Sequence, residues 1–274
     1  MALVEPSSLG APGRLIRPAV TIVVLLLAWE AACRGFAIPF FILPPPSMVL
    51  LRLATDGRLL LHDAALTALE ILLGLGLGVA SGCIFALLLI GSARARRWLQ
   101  PLLLVSQAMP VFALAPILVV WLGYGIAPKV VMAAAMVQFP VALAFYHGMQ
   151  HADEGLIDLA RLHRASLFQE IRFFRAPAAA PALAAGLRGA AAVAPLAAII
   201  GEWVGAAGGL GFVMVQANAR MQSDLMFAAV ALLALMGLIL WSVVDALLRR
   251  WLHWAPESHA GASFSKQQPS TWTI

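Results

Sequence analysis

The sequence predicts an all-helical protein embedded in a membrane, and three observations carry that expectation. Of 274 residues, 62% are hydrophobic and 11% charged, with a mean hydropathy of +0.91. Soluble domains carry roughly 25% charged residues, so this chain has too little polar surface to face water on all sides. Its apolar residues come in long runs, such as residues 21–32 and 227–244, which outlast barrel strands and do not alternate with polar positions. Inside a bilayer every backbone polar group must be satisfied within the protein, which leaves helices or closed barrels, and a helical crossing takes about 20 apolar residues.

Taken in order, the chain divides into six spans. Residues 1–17 form a short leading segment, with Arg14 and Arg17 ahead of a first apolar run over residues 18–36. A basic flank before an apolar centre also describes a secretory signal, and Ala31-Ala32-Cys33 resembles a lipoprotein cleavage site. Glu30 stands where such sites want an aliphatic residue, and further spans follow, so the run is read as a span. Pro44, Pro45 and Pro46 then end any through-going helix, and Ser47 is placed to cap a short helix along the membrane surface. The second span covers residues 64–90, with Gly74, Gly78 and Gly82 at a spacing that lets two helix backbones approach closely. After the basic turn of Arg94, Arg96 and Arg97, a third span over 99–122 contains Pro101, Pro110 and Pro116. The fourth covers 129–148. The fifth, 182–204, carries small residues at Ala182, Gly186, Ala190, Ala194 and Ala198, a second close-packing stripe. The loop 205–224 leads to the sixth span, 225–248, closed by Arg249 and Arg250. Residues 18–254 thus make one membrane domain, followed by a polar tail, 255–274, that reads as disordered. Cys33 and Cys83 fall in different runs, which argues against a disulfide framework or a metal site.

The net charge of +5 is read as topology and not as a nucleic-acid signature. With the N-terminus inside, 12 of the 18 basic residues fall in inner segments and five in outer ones, with Arg188 within the fifth span. Cytoplasmic loops carry the excess of Lys and Arg. Both termini and residues 149–181 are therefore expected in the cytoplasm, and the loop containing Gly208, Gly209 and Gly211 outside.

Residues 149–181 are the long polar interruption of the chain, with Asp153, Glu154, Asp158 and Glu170 beside Arg161, Arg164, Arg172 and Arg175. As a helix, Leu156, Leu159, Leu162 and His163 share a face, followed by a turn and a second piece rich in Phe168, Ile171, Phe173 and Phe174, with Pro177 and Pro181 leading into the fifth span. Spacing alone leaves two readings: a helix lying on lipid, or a helix docking into a partner's groove.

The stretch resembles the coupling motif of bacterial ABC importer permeases: an acidic residue and two small ones, three residues, glycine, nine residues, then a segment closed by proline. Asp158, Leu159 and Ala160 stand for the triplet, Arg161, Leu162 and His163 for the spacer, Arg164 for the glycine, and Pro177 for the closing proline, with Ala165, Ser166 and Gln169 matching the intervening positions. Leu159, Arg164 and Ala176 depart from the pattern, and an arginine in helical geometry at 164 would alter the turn after His163. The proline segment at 43–49, AGLRGA at 185–190 and GEWVGAAGGLGF at 201–212 resemble the branch handling sulfonates, taurine, nitrate and thiamine precursors. EWVG with residues 218–229 is most similar to permeases for hydroxymethylpyrimidine-type precursors.

The resemblance implies the type I importer permease fold and a dimer of permeases. It implies ABC ATPase subunits that dock on Asp158, Leu159, Ala160, Leu162, Arg164, Ala165, Ser166, Phe168 and Pro177, and a solute-binding protein on the far side. Glu202, Trp203, Gly208, Gly209, Gly211 and Arg188 are the candidates for pathway or binding-protein contact. No cofactor is assigned to this chain; ATP and Mg²⁺ would sit on the partner. The residues agree with that division of labour: the two lysines, Lys129 and Lys266, follow Pro128 and Ser265, so neither belongs to a GxxxxGK[ST] phosphate loop. Two other classes compete. An ion-driven carrier would use ionisable groups in the membrane, here Glu30, Glu70, Arg188, Glu202 and Asp245, of which Glu30, Glu70 and Glu202 are expected near water at the span ends. An intramembrane enzyme would need more than His147 and His151, and the sequence contains neither HExxH nor GxSxG.

Overall fold

The computed structural model describes residues 11–108, 110–205 and 207–254, all helices and connecting turns among them. The expectations for residues 1–10 and for the tail 255–274 lie outside the described residues. In chain order the helices are α1 (Ala11–Gly35), α2 (Pro46–Thr55), α3 (Gly57–Gly91), α4 (Ala93–Ala108), α5 (Val111–Leu122) and α6 (Ile126–Gln150). They continue with α7 (Glu154–Leu162), α8 (Leu167–Glu170), a π-helical turn (Ile171–Arg175), α9 (Ala176–Ala178), α10 (Ala180–Gly205), α11 (Leu210–Ala219) and α12 (Ser223–Trp251). Four of them, α3, α6, α10 and α12, are long and apolar enough to cross a membrane.

Two local expectations are corrected. The third span is not one helix: α4 and α5 separate at Pro110, whose backbone is extended (φ −64°, ψ 108°), whereas Pro101 and Pro116 are accommodated inside helices. Ser47 does not cap α2. Pro45 holds the N-cap position, and Ser47, one turn-step inside, gives both its N–H (3.0 Å) and its hydroxyl (2.8 Å) to the Glu30 carboxylate. That carboxylate, also paired with Arg34, ties α1 to the start of α2.

The bundle is organised around α6, which packs against α3 on one side and α10 on the other. The glycine stripe of α3 makes this possible. A Cβ on Gly78 would stand 2.7 Å from the Val137 side chain, and one on Gly82 2.7 Å from the Gln138 carbonyl oxygen, both on α6. Gly76, off the stripe, faces open space. The small residues of α10 do the same work: Gly186, Ala190, Ala194 and Ala198 are all buried, and a Cβ on Gly186 would meet Ala144 of α6. Small side chains give lipid-immersed helices close packing in place of a hydrophobic driving force. α2 is fixed to the start of α12 by Arg52, whose Nε donates to Asp224 at 2.7 Å. Arg188 of α10 pairs with Asp245 of α12 at 2.7 Å, and Asp245 also accepts from Arg249.

Candidate functional site

The polar interruption folds as a compact two-helix element between α6 and α10. Asp153 caps α7 by accepting the Leu156 N–H at 3.2 Å. The buried side of α7 is Ile157 and Ala160; Leu156, Leu159 and Leu162 point away from the bundle, with Leu162 80% exposed. Asp158, also exposed, pairs with Arg161 at 3.3 Å. Leu159, Ala160, His163, Ala165, Gln169, Phe173 and Phe174 line a mainly apolar groove of about 400 Å³. The exposed Phe168 stands on the same element, and Pro177 lies in the first turn of α9.

The turn after α7 settles the departure at Arg164. The Ala165 N–H donates to the Ala160 carbonyl at 3.0 Å and the Arg164 N–H to the Arg161 carbonyl at 2.9 Å. These are the two bonds of a Schellman termination, whose C′ residue must be left-handed and is usually glycine. Arg164 adopts φ +54°. The altered turn expected from arginine does not occur: the residue takes the glycine conformation, because the paired bonds satisfy carbonyls that α7 would otherwise leave open. Ser166 then starts α8 with a full capping box, its hydroxyl accepting from the Gln169 N–H and its own N–H donating to the Gln169 side chain at 2.8 Å.

A clamp not anticipated from the sequence fastens this element to the spans. Glu170 is buried; Arg175, across the π-helical turn, donates Nε and Nη2 to its Oε1 at 2.7 and 2.6 Å, and Nη1 to the Met149 carbonyl of α6 at 3.1 Å. Arg161 of α7 approaches the other oxygen at 3.8 Å. The available signal was an acid and an arginine five apart in an aromatic stretch, but only the π-turn brings them face to face.

At the other end of the bundle the glycine-rich loop is held by buried polar groups. Glu202 is 2% exposed; its Oε1 accepts the Thr67 hydroxyl at 2.6 Å and its Oε2 the Gly211 N–H at 2.5 Å. Asp63 accepts the Gly209 N–H at 2.9 Å, and Thr67 the Leu210 N–H at 2.9 Å. Three successive loop amides are thus satisfied by side chains of α3 and α10. Gly209, at φ +109°, has no room for a side chain, since a Cβ would fall on the Glu202 carboxylate. Beside them Lys129 of α6, 7% exposed, donates to Glu70 of α3, 3% exposed, at 2.6 Å.

This overturns two expectations. Glu70 and Glu202 are not near water but among the most buried side chains, and Lys129, counted as a loop cation, is buried with them. Of the candidates at this end, the structure unites Glu202, Gly208, Gly209 and Gly211. Trp203 is exposed and turned away, and Arg188 lies 14 residues earlier on α10, about 21 Å along the helix at 1.5 Å per residue.

The chain is thus a helical membrane bundle with a polar two-helix element at one end and a side-chain-locked glycine loop at the other. The chain belongs to the family described as binding-protein-dependent transport system inner membrane component, which it matches over residues 74–253. It is 45% identical to a probable ABC transporter permease protein of Haemophilus influenzae over 239 residues, covering 87% of this chain and 98% of that one. It is 30% identical to the formylaminopyrimidine transport permease ThiX of Halalkalibacterium halodurans, covering 87% and 96%. Permeases named for riboflavin, aliphatic sulfonates and taurine match as well, which sets the chain in the sulfonate, taurine and thiamine-precursor branch. Among solved structures the fold is similar to that of the MetNI methionine ABC transporter in an inward-facing form, with a TM-score of 0.62 at 20% identity, over 70% of this chain and 95% of that one. The chain is therefore an inner-membrane permease component of an ABC importer.

Proposed function

We propose that this permease carries a small pyrimidine-type thiamine precursor across the membrane, receiving it from a solute-binding protein at the glycine-loop end. It works as a homodimer. Two ATPase subunits, which bind the ATP and Mg²⁺, dock at the coupling element, residues 154–177. Both termini and that element face the cytoplasm, in keeping with the distribution of arginines. Closure of the ATPase pair pushes the coupling elements together, and the bundle alternates between inward- and outward-facing arrangements as a rigid body.

The observation that carries this reading is the geometry of the coupling element. Leu159 and Leu162 of α7 and Phe168 of α8 stand exposed beside a groove of about 400 Å³, while the opposite face of α7, Ile157 and Ala160, is buried. An isolated amphipathic helix lying on lipid would not need the glycine-type turn at Arg164 or the capping box at Ser166, both of which fix the ridge at a set angle. The pyrimidine assignment is supported by the similarity of residues 201–229 to the precursor branch and by the formylaminopyrimidine permease among the relatives. Docking is tested by placing cysteine at Ala165 or Ser166 and crosslinking to cysteines on the candidate partner ATPase. A crosslink whose yield changes with nucleotide is expected. Its absence in both nucleotide states overturns the assignment.

A further inference from the structure

The start of α4 carries three arginines without partners. The side chains of Arg94, Arg96 and Arg97 form no ion pair or hydrogen bond among the described residues, whereas Arg34, Arg52, Arg161, Arg175, Arg188 and Arg249 each meet a carboxylate. The sequence supplies no local acid, since residues 71–152 contain neither Asp nor Glu. An excess of arginine at a membrane edge accounts for topology. It does not account for how these arginines are aligned.

α4 begins just after α3, a membrane-crossing helix, ends, so Arg94 stands at the edge of a span. At about 100° per residue, Arg94, Arg97, Trp98, Leu102 and Val105 fall on one side of the helix, and all five are exposed. Leu103, on the opposite side, is buried, and with Leu99 it packs in the cluster of Phe145, Tyr146 and Met149. The exposed side is ordered along the axis. The Arg94 guanidinium comes first, the indole of Trp98, 72% exposed, follows about 6 Å further on, and Leu102 and Val105 stand about 12 and about 16 Å from Arg94. Cation, amphipathic ring and aliphatic side chains follow the order of a phospholipid's own parts: phosphate, glycerol ester and acyl chain. Arginine meets phosphate through paired N–H groups, and tryptophan favours the membrane–water interface. A zwitterionic headgroup brings its own cation toward the arginines, and a net-negative one does not.

We propose that the exposed side of α4 binds an anionic phospholipid, with its phosphate on Arg94 and Arg97 and its acyl chain along Leu102 and Val105. Charge complementarity selects this occupant, and the site holds whichever solute the importer carries.

The test reconstitutes the full-length permease in phosphatidylcholine vesicles containing equal fractions of either phosphatidylglycerol or phosphatidylcholine brominated near the glycerol end of the acyl chain. The chain has eight tryptophans, so Trp98 is read as the difference in fluorescence quenching between wild type and Trp98→Phe. Brominated phosphatidylglycerol is expected to quench Trp98 with an apparent affinity at least about fivefold above that of brominated phosphatidylcholine, the share of one arginine at an anionic surface. Arg94→Gln with Arg97→Gln is expected to bring that ratio close to unity, whereas Arg250→Gln, at the end of α12, leaves it unchanged. All three arginine side chains are exposed and hold no partner among the described residues, so folding is not at stake. Equal quenching by the two lipids in wild type overturns the site. So does a ratio that survives in the double variant, or one that falls as far in Arg250→Gln, the signature of diffuse surface charge. Quenching of Trp98 by neither lipid shows the face covered by protein, and overturns the site as well.

Discussion

Arg164 offers a prediction whose size follows from the backbone. A non-glycine residue in the left-handed region costs roughly 1–2 kcal/mol relative to its ordinary conformations, and Arg164 sits there at φ +54°. Its guanidinium is exposed and forms no ion pair among the described residues, so truncation removes no contact. Glycine carries no left-handed penalty but loses about 0.5–1 kcal/mol through its freer unfolded chain. The difference leaves Arg164→Gly more stable at the turn by about 1 kcal/mol, or about fivefold in the closed population of the Schellman bonds. Hydrogen exchange reads this directly. The amides of Arg164 and Ala165 donate the two closing bonds, and in the purified permease their exchange is expected to slow about fivefold at neutral pH. Arg164→Val, β-branched and unable to adopt the conformation cheaply, is expected to speed it and to weaken the ATPase crosslink. Faster exchange in the glycine variant, or equal exchange in glycine and valine variants, refutes the assignment of Arg164 as a strained glycine substitute.

Two further outcomes follow from the clamp and the loop. Arg175→Met leaves buried Glu170 with only the more distant Arg161 at 3.8 Å and removes the hydrogen bond to the Met149 carbonyl, a loss of up to about 3–5 kcal/mol for breaking one side of a buried pair; ATP hydrolysis by the assembled importer is expected to persist while solute uptake falls, and the exchange Glu170→Arg with Arg175→Glu to recover part of it, whereas equal loss of both activities argues against a transmission role. Gly209→Ala drives a methyl onto the Glu202 carboxylate at a strained φ and is expected to lower stability by about 2 kcal/mol or more, read as thermal unfolding in detergent, while Gly208→Ala, which meets the movable end of Leu66 at 3.0 Å and Asp63 Oδ1 at an ordinary 3.4 Å, is expected to be much milder.

What the sequence could show and what it could not divides along physical lines. The second, fourth, fifth and sixth spans and the two small-residue stripes were legible because they depend on periodic patterns along one helix. The contacts of Gly78 and Gly186 with α6 fulfil those patterns directly. The helix–turn–helix at 154–170 was legible from its pattern, but the conformation at 164 was not: the pattern asks for glycine, the chain supplies arginine, and only the bonds from Arg164 and Ala165 show which of the two demands prevails. Pro110 and Pro101 look alike as letters, yet one breaks a helix and the other does not. The buried ions were misjudged for a related reason. Glu70 and Lys129 are 59 positions apart and near span ends, where counting by depth places them in water. Their burial follows from the packing of α6 against α3 and α10, which sets Gly201 on Lys129, a tertiary fact that no spacing rule contains.

The two ends of the molecule are joined by the same pair of helices. Arg175 fixes the two-helix element to the end of α6 at Met149, where a Cβ on Gly148 would press on Ala179, just before α10, and on Ala182 in its first turn. Midway, Gly186 of α10 packs on Ala144 and the Pro140 carbonyl of α6; at the far end, Gly201 packs on Lys129. Contacts this close, at both ends and the middle, leave α6 and α10 little freedom to slide past each other, and interiors packed to this density respond by switching and not by gradual deformation. Each helix ends in the polar cluster, α6 by Lys129 and α10 by Glu202. A displacement imposed on residues 154–177 therefore reaches the glycine loop, about 37 Å away along the 25 residues of α6, through one rigid unit. On this account the load passes through backbone contacts at Gly148, Gly186 and Gly201, and polar contacts at either end attach it: the Glu170–Arg175 ion pair to residues 154–177, the Glu202 hydrogen bond to the Gly211 amide.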